Sequence, residues 1–188
     1  MRVIAGKYRS RPLQSLRGLD LRPTADRLRE TLFDILTAGN PAALEGTVWI
    51  DLFAGTGAVG IEALSRGAAM VYFVEVSARA RELIARNLRS LQIAAGFQIL
   101  KHDAVRAVHE LNTDGVQADF IFLDPPYRME PAYRQTLEAL ASSRLLKLDS
   151  VVIAEHQKKF DPGAKAGSLE RYRLLQQGDA ALSFYRGG

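Results

Sequence analysis

The sequence predicts a doubly wound α/β domain built on a mostly parallel, seven-stranded sheet. Three observations predict it. From Thr47 onward, short and nearly continuous apolar runs alternate with segments of helical period, the pattern of a parallel sheet covered on both faces. Asp51, Glu75, Asp103 and Asp124 fall at or next to the expected strand ends, where such sheets hold ligands. Two final apolar runs are joined only by Gln177-Gly178-Asp179, which predicts an antiparallel hairpin at one sheet edge.

Taken in order, residues 2–14 read as two short strands around Gly6-Lys7, a basic hairpin. Thr24, just after Pro23, caps a helix whose Leu28, Leu32, Ile35 and Leu36 share one face, and Asn40-Pro41 ends it. Strands are expected at Thr47–Leu52, Met70–Val76, Phe97–Leu100, Asp119–Leu123 and Val151–Glu155. Helices are expected between them at Val59–Ser65, Ala78–Leu91, Ala104–Leu111 and Pro131–Ala141. The edge hairpin takes Glu170–Gln176 and Ala180–Arg186. The organisation expected is a basic arm over residues 1–22 and one domain over 23–188.

Composition narrows the chemistry. The chain has 188 residues, 47% of them hydrophobic, enough for one sizeable core. No run approaches the ~20 apolar residues that cross a bilayer, and the polar, basic start lacks a signal peptide's apolar stretch, so a soluble cytoplasmic protein is expected. The absence of cysteine excludes disulfides, thiolate metal sites and a cysteine nucleophile, and the scattered His102, His109 and His156 make a poor metal site. Residues 1–30 hold eight basic side chains against three acids, whereas the rest of the chain is nearly neutral. That asymmetry is the footprint of a protein that docks on a phosphate backbone, with Arg2, Lys7, Arg9, Arg11, Arg22 and Arg27 as the candidate contacts.

Two strand-end segments carry the chemistry. In Asp51-Leu-Phe-Ala-Gly-Thr-Gly-Ala-Val-Gly60, three glycines at G-x-G-x-x-G spacing allow a tight turn and close approach of a nucleoside cofactor. Glu75, at the end of the second strand, suits the two ribose hydroxyls. A dinucleotide-binding oxidoreductase would show the same features, but Asp51 before the glycines favours a cofactor with positive charge and an ammonium group over a pyrophosphate. In Asp124-Pro-Pro-Tyr127, two prolines donate no N–H and fix φ, so the turn offers carbonyl acceptors beside an acid and an aromatic ring. Asp124 and the Pro125 carbonyl would hold the hydrogens of an amine on a flat ring, raising electron density at nitrogen, while Tyr127 stacks on the ring.

The glycine loop, Glu75, Asp103 and Asp124-Pro-Pro-Tyr127 resemble the ordered motifs of S-adenosyl-L-methionine-dependent methyltransferases acting on exocyclic amines. With Arg2-Val-Ile-Ala-Gly and Arg22-Pro-Thr-Ala-Asp-Arg-Leu-Arg-Glu-Thr-Leu-Phe33, the chain resembles, nearly end to end, the RsmD family, which methylates guanine N2 in bacterial 16S ribosomal RNA. The resemblance implies a class I, Rossmann-like methyltransferase domain. It implies Asp51, Gly55 and Gly57 at the methionine end of the cofactor, Glu75 at the ribose, and Asp103 with Ala104 at the adenine. Thr24 and Arg27 would fold back near cofactor and substrate, and Asp124, Pro125 and Tyr127 would carry catalysis. Phe53 matches no motif residue, and Glu155 at a strand end fits either a pocket wall or a sheet cap.

The mechanism implied is direct in-line displacement, with no metal and no covalent adduct, on a loop nucleotide or a flipped base. The expected partner of a monomeric enzyme is 16S ribosomal RNA or the assembling small subunit. Two further readings share these residues: a DNA adenine-N6 methyltransferase, and a non-catalytic RNA-binding assembly factor that retains the fold.

Overall fold

The computed structural model describes residues 1–15, 23–126 and 128–187, and of residues 23–25 the backbone alone. From Pro23, whose fixed φ suits a first helical turn, the chain forms α1 (Pro23–Thr37), β1 (Val48–Asp51), α2 (Ala58–Ser65), β2 (Met70–Val74) and α3 (Ala78–Ser90). It continues with β3 (Phe97–Leu100), α4 (Ala104–Thr113), β4 (Ala118–Leu123), α5 (Glu130–Ala141) and β5 (Leu146–Gln157). The last elements are β6 (Lys165–Ala166), β7 (Leu169–Gln177) and β8 (Ala180–Gly187).

The sheet runs β3-β2-β1-β4-β5-β8-β7-β6, with β1 to β5 parallel and the remainder antiparallel. Winding therefore proceeds outward from β1 to β3, returns, and continues through β4, so the direction switches between β1 and β4. There the strand-end loops part and leave a cleft. The sheet has eight strands, not seven. The extra strand, β6, is two residues long and pairs Lys165 with Glu170 and Ala166 with Leu169 beyond the predicted hairpin. Two residues carry no readable alternation, and only the existing edge of β7 makes them a strand. β5 also begins at Leu146, ahead of the expected Val151, because exposed Lys147 and Asp149 at its start mask the apolar signal.

One face of the sheet packs Trp49, Phe73, Phe122, Ile153 and Phe184 against α1, α2, α3 and the N-terminal segment. The other packs Ile50, Val74, Ile121, Leu123 and Val152 against α4 and α5. Trp49 is fully buried between Phe33, with ring centroids 5.3 Å apart, and Phe120 at 5.4 Å. Losing a buried aromatic of this kind costs about 3–5 kcal/mol, which makes α1 an integral layer of the domain.

Residues 1–15 lie against this layer. In place of two named strands, one antiparallel bridge joins Arg2 and Pro12, flanked by Val3 N–H to Arg11 O (3.0 Å) and Leu13 N–H to Met1 O (3.0 Å). Two wholly buried polar side chains dock the segment. Glu62 of α2 accepts the Ile4 and Ala5 amides at 2.8 and 2.9 Å while pairing with Arg66 at 2.8 Å. Asn87 of α3 accepts the Gln14 amide at 2.8 Å and donates to Gln14 O at 3.1 Å and Thr56 O at 3.0 Å. Gly6 (φ +78°) seats the turn, for a Cβ there would meet the Ser65 carbonyl oxygen at 1.9 Å. No helix among the described residues is long and apolar enough to cross a membrane.

Candidate active site

β1 ends at Asp51, and the chain turns into α2 through Gly55 (φ +54°) and Gly57 (φ +79°), both in the left-handed region that glycine enters at no steric cost. Gly60 serves packing instead. A Cβ there would lie 2.3 Å from Cε1 of Phe73, so its absence lets α2 rest on β2. Two carboxylates fix the loop from either side. Glu75, just past β2, accepts the Gly55 amide through Oε2 at 2.9 Å and the Ser77 amide through Oε1 at 2.8 Å. Asp51, 1% exposed, lies beneath the loop and accepts the Gly60 amide at 3.2 Å. At the next strand end, Asp103 caps α4 by accepting the Arg106 amide at 2.9 Å.

These tips converge on one cavity of about 490 Å³. The β1 end contributes Leu52, Phe53 and Gly55, the β2 end Val74, Glu75 and Val76, and the β3 end His102, Asp103 and Ala104. Asp124, Pro125 and Pro126 beyond β4, with Met129, close the opposite wall. The two sequence motifs thus meet across one space. Among the described residues lining it there are three carboxylates and no Lys or Arg. Such a wall suits a cationic nucleoside carrying ribose hydroxyls better than a pyrophosphate. The cavity's size and apolar floor fit S-adenosyl-L-methionine.

The acids beneath the cleft form an electrostatic cluster. Burial pushes the Asp124 carboxyl up to about 7. Burial also pushes Asp51 up to about 7, with repulsion from Asp124 and Glu75 adding to it and the Gly60 amide opposing it. Glu155, on β5, is driven well above the usual carboxylate range by burial and then by Asp124, against the pull of the Arg29 guanidinium. Arg29 of α1 is itself buried, donating to Arg2 O at 2.7 Å and pairing with Asp26 at 3.1 Å.

Gly55, Glu75, Asp103, Ala104, Asp124 and Pro125 therefore share the cavity wall, while Asp51 and Gly57 support it from behind. Tyr127 and Arg22 lie outside the described residues, as does the side chain of Thr24. Phe53 joins the wall, as do His102 and Met129, which sequence reasoning passed over. Their signal was position alone, each lying one or a few residues from a motif residue at a strand end. His102 also pairs with Glu110 at 2.7 Å. Of the basic residues, Arg2, Arg9 and Arg27 line a second cavity of about 400 Å³ between the N-terminal turn and α1, with Asp26 and Glu30. Lys7 is exposed, its ammonium 5.4 Å from the Tyr8 ring centroid, and Arg11 donates to Ser90 O at 3.0 Å.

The chain is similar to the Ribosomal RNA small subunit methyltransferase D of Escherichia coli K12, at 31% identity over 186 residues covering 99% of this chain and 89% of the relative. Among solved structures it is similar to the yhhF protein of Escherichia coli, with a TM-score of 0.81 and 28% identity, covering 100% of this chain and 97% of the other. It shares its fold with SMU.776, solved in complex with SAH, at a TM-score of 0.68 and 15% identity over 87% of this chain and 49% of the other. A family model described as Conserved hypothetical protein 95 matches residues 1–186, spanning the docked N-terminal turn, the glycine loop and the double-proline turn alike. On that match and the full-length likeness, the chain belongs to the RsmD family.

Proposed function

We propose that this chain transfers a methyl group from S-adenosyl-L-methionine to the exocyclic N2 of a guanine in small-subunit (16S) ribosomal RNA. The observation that carries the reading is the shared cavity, in which Gly55, Glu75 and Asp103 on one side face Asp124, Pro125 and Pro126 on the other. The donor's sulfonium supplies an electrophilic methyl, so the protein needs to provide position and proton handling, not a nucleophile. Glu75 holds the ribose with lone pairs left after accepting Gly55 and Ser77. Asp124 accepts a hydrogen of the amine, whose lone pair is otherwise drawn into the purine ring. As nitrogen gains the methyl, the amine's proton passes to the Asp124 carboxylate, and a pKa near 7 leaves that group able both to take it and to release it. The Pro125 carbonyl is offered to the second hydrogen, and Tyr127 stacks on the base.

The name of the curated relative supports ribosomal RNA as the substrate class. The docked basic turn supports the same reading, for Arg2, Arg9 and Arg27 gather in one cavity on the sheet face covered by α1 and the N-terminal segment. The test is incubation with labelled S-adenosyl-L-methionine and either small-subunit ribosomal RNA, its assembling particle, or duplex DNA, followed by nucleoside mass analysis. N2-methylguanosine from RNA is the expected product. Label at adenine N6 of DNA, or RNA binding without label, would overturn the proposal.

A further inference from the structure

Glu155 is a carboxylate that the reaction as described leaves unused. The β4–β5 register pairs Leu123 with Ala154, so Asp124, the residue just past β4, and Glu155, still within β5, stand side by side. The alternation that sends Phe122 and Ile153 to the face covered by α1 sends Asp124 and Glu155 the same way. Glu155 is held firmly: its carbonyl accepts the Tyr133 hydroxyl at 2.8 Å, and its strand position pairs with Leu182 of β8. Among the described residues its carboxylate accepts no hydrogen bond, although Asp124 and Asp51 both act on it by repulsion and Arg29 by attraction. A half-buried acid beside other carboxyls gains from a ligand that brings N–H groups.

The sheet order also divides the cleft. The donor cavity covers the ends of β3, β2, β1 and β4, and Glu155 lies on the far flank of Asp124, on β5. A base whose amine is held by Asp124 must therefore extend toward Glu155. Guanine places a second donor, N1–H, beside its N2 amine, whereas the amines of adenine and cytosine stand beside a bare ring nitrogen, an acceptor. Two adjacent carboxylate acceptors match two adjacent N–H donors, and those donors, with Arg29, offset the burial that otherwise favours the protonated acid.

We propose that Glu155 is the specificity-determining residue of the base site, accepting guanine N1–H beside the N2 amine held by Asp124. This rests on the guanine-N2 reading above and deepens it. The base-edge pair Asp124–Glu155 selects guanine, and Arg29, anchored to the N-terminal turn through Arg2 O, balances the charge of the pair from the α1 side.

The test uses the full-length protein and small-subunit ribosomal RNA carrying, at the nucleotide it methylates, either guanine or 2-aminopurine, which keeps the amine and lacks N1–H. The wild type should favour guanine by about 100-fold or more in kcat/KM. Glu155→Gln, which offers an amide N–H in place of one carboxylate oxygen, should lose about 10- to 100-fold on guanine and gain on 2-aminopurine. Its S-adenosyl-L-methionine affinity should stay within about 2-fold of wild type, which separates a lost base contact from a damaged fold. Guanine methylation with an unchanged guanine to 2-aminopurine ratio in Glu155→Gln overturns the role of Glu155 alone. No guanine methylation by the wild type overturns the guanine reading and this inference together.

Discussion

The Gly55 amide and the Glu75 carboxylate are joined by a 2.9 Å hydrogen bond that ties the tip of β1 to the tip of β2. One side chain thus shapes the glycine turn, and in the function proposed above it also presents the acceptor for the ribose. Because it also takes the Ser77 amide, its loss leaves two backbone donors without their partner. Glu75→Ala is expected to weaken S-adenosyl-L-methionine binding by about 10- to 100-fold, read by calorimetry, with little change in RNA affinity. Unchanged cofactor affinity would place the ribose elsewhere.

Asp124 sets a pH dependence. As the proposed proton acceptor it would work ionised, and burial holds its pKa at about 7, so kcat/KM should rise with pH through about 7 and level off above it. Asp124→Asn should lose methyl transfer by about 100-fold or more while RNA affinity stays within about 2-fold. A flat pH profile between 6 and 8 with a chemical step shown to limit the rate would exclude Asp124 as proton acceptor.

Stability should run the opposite way. Asp51 is pushed up to about 7 when folded and titrates near 4 when unfolded, so the folded state binds the extra proton between those values. Its contribution to stability is full below about pH 4 and is lost as pH rises through about 7. Asp51→Asn should therefore help by on the order of 1–3 kcal/mol more at pH 8 than at pH 4, measured by urea unfolding. Equal effects at both pH values would show that Asp51 is not strained by burial.

Glu62 holds the N-terminal turn to α2 through the Ile4 and Ala5 amides. Glu62→Ala is expected to cost about 2–4 kcal/mol, because two amides and Arg66 lose a buried acceptor. Amide exchange should accelerate in residues 2–14 while the glycine loop stays protected. Exchange rates that rise evenly across the domain would mean that Glu62 supports the core and not the docking of this segment.

Arg2, Arg9 and Arg27 line one cavity and are expected to meet RNA phosphates. Replacing Arg9 and Arg27 by Ala should weaken binding for all RNA sequences and lower the slope of log affinity against log salt by about 1 per lost contact. An unchanged slope would move the docking surface away from the N-terminal turn.

The local pattern of the chain determined the order of strands and helices, the parallel sheet, the edge hairpin and the strand-end positions of Gly55, Glu75, Asp103 and Asp124, because side-chain period and turn chemistry act over a few residues. Only the tertiary structure decided that β6 exists, that Glu62 and Asn87 clamp the first fifteen residues, and that Asp51 supports the cleft from below. A helix reading Ala-Val-Gly-Ile-Glu-Ala-Leu-Ser tells that Glu62 sits on an apolar face, yet not which amides will reach it. Glu155 makes the same point most sharply. Its place beside Asp124 is a consequence of β4–β5 register, a non-local pairing across the α5 crossover, and no local period encodes which residues two strands will bring abreast.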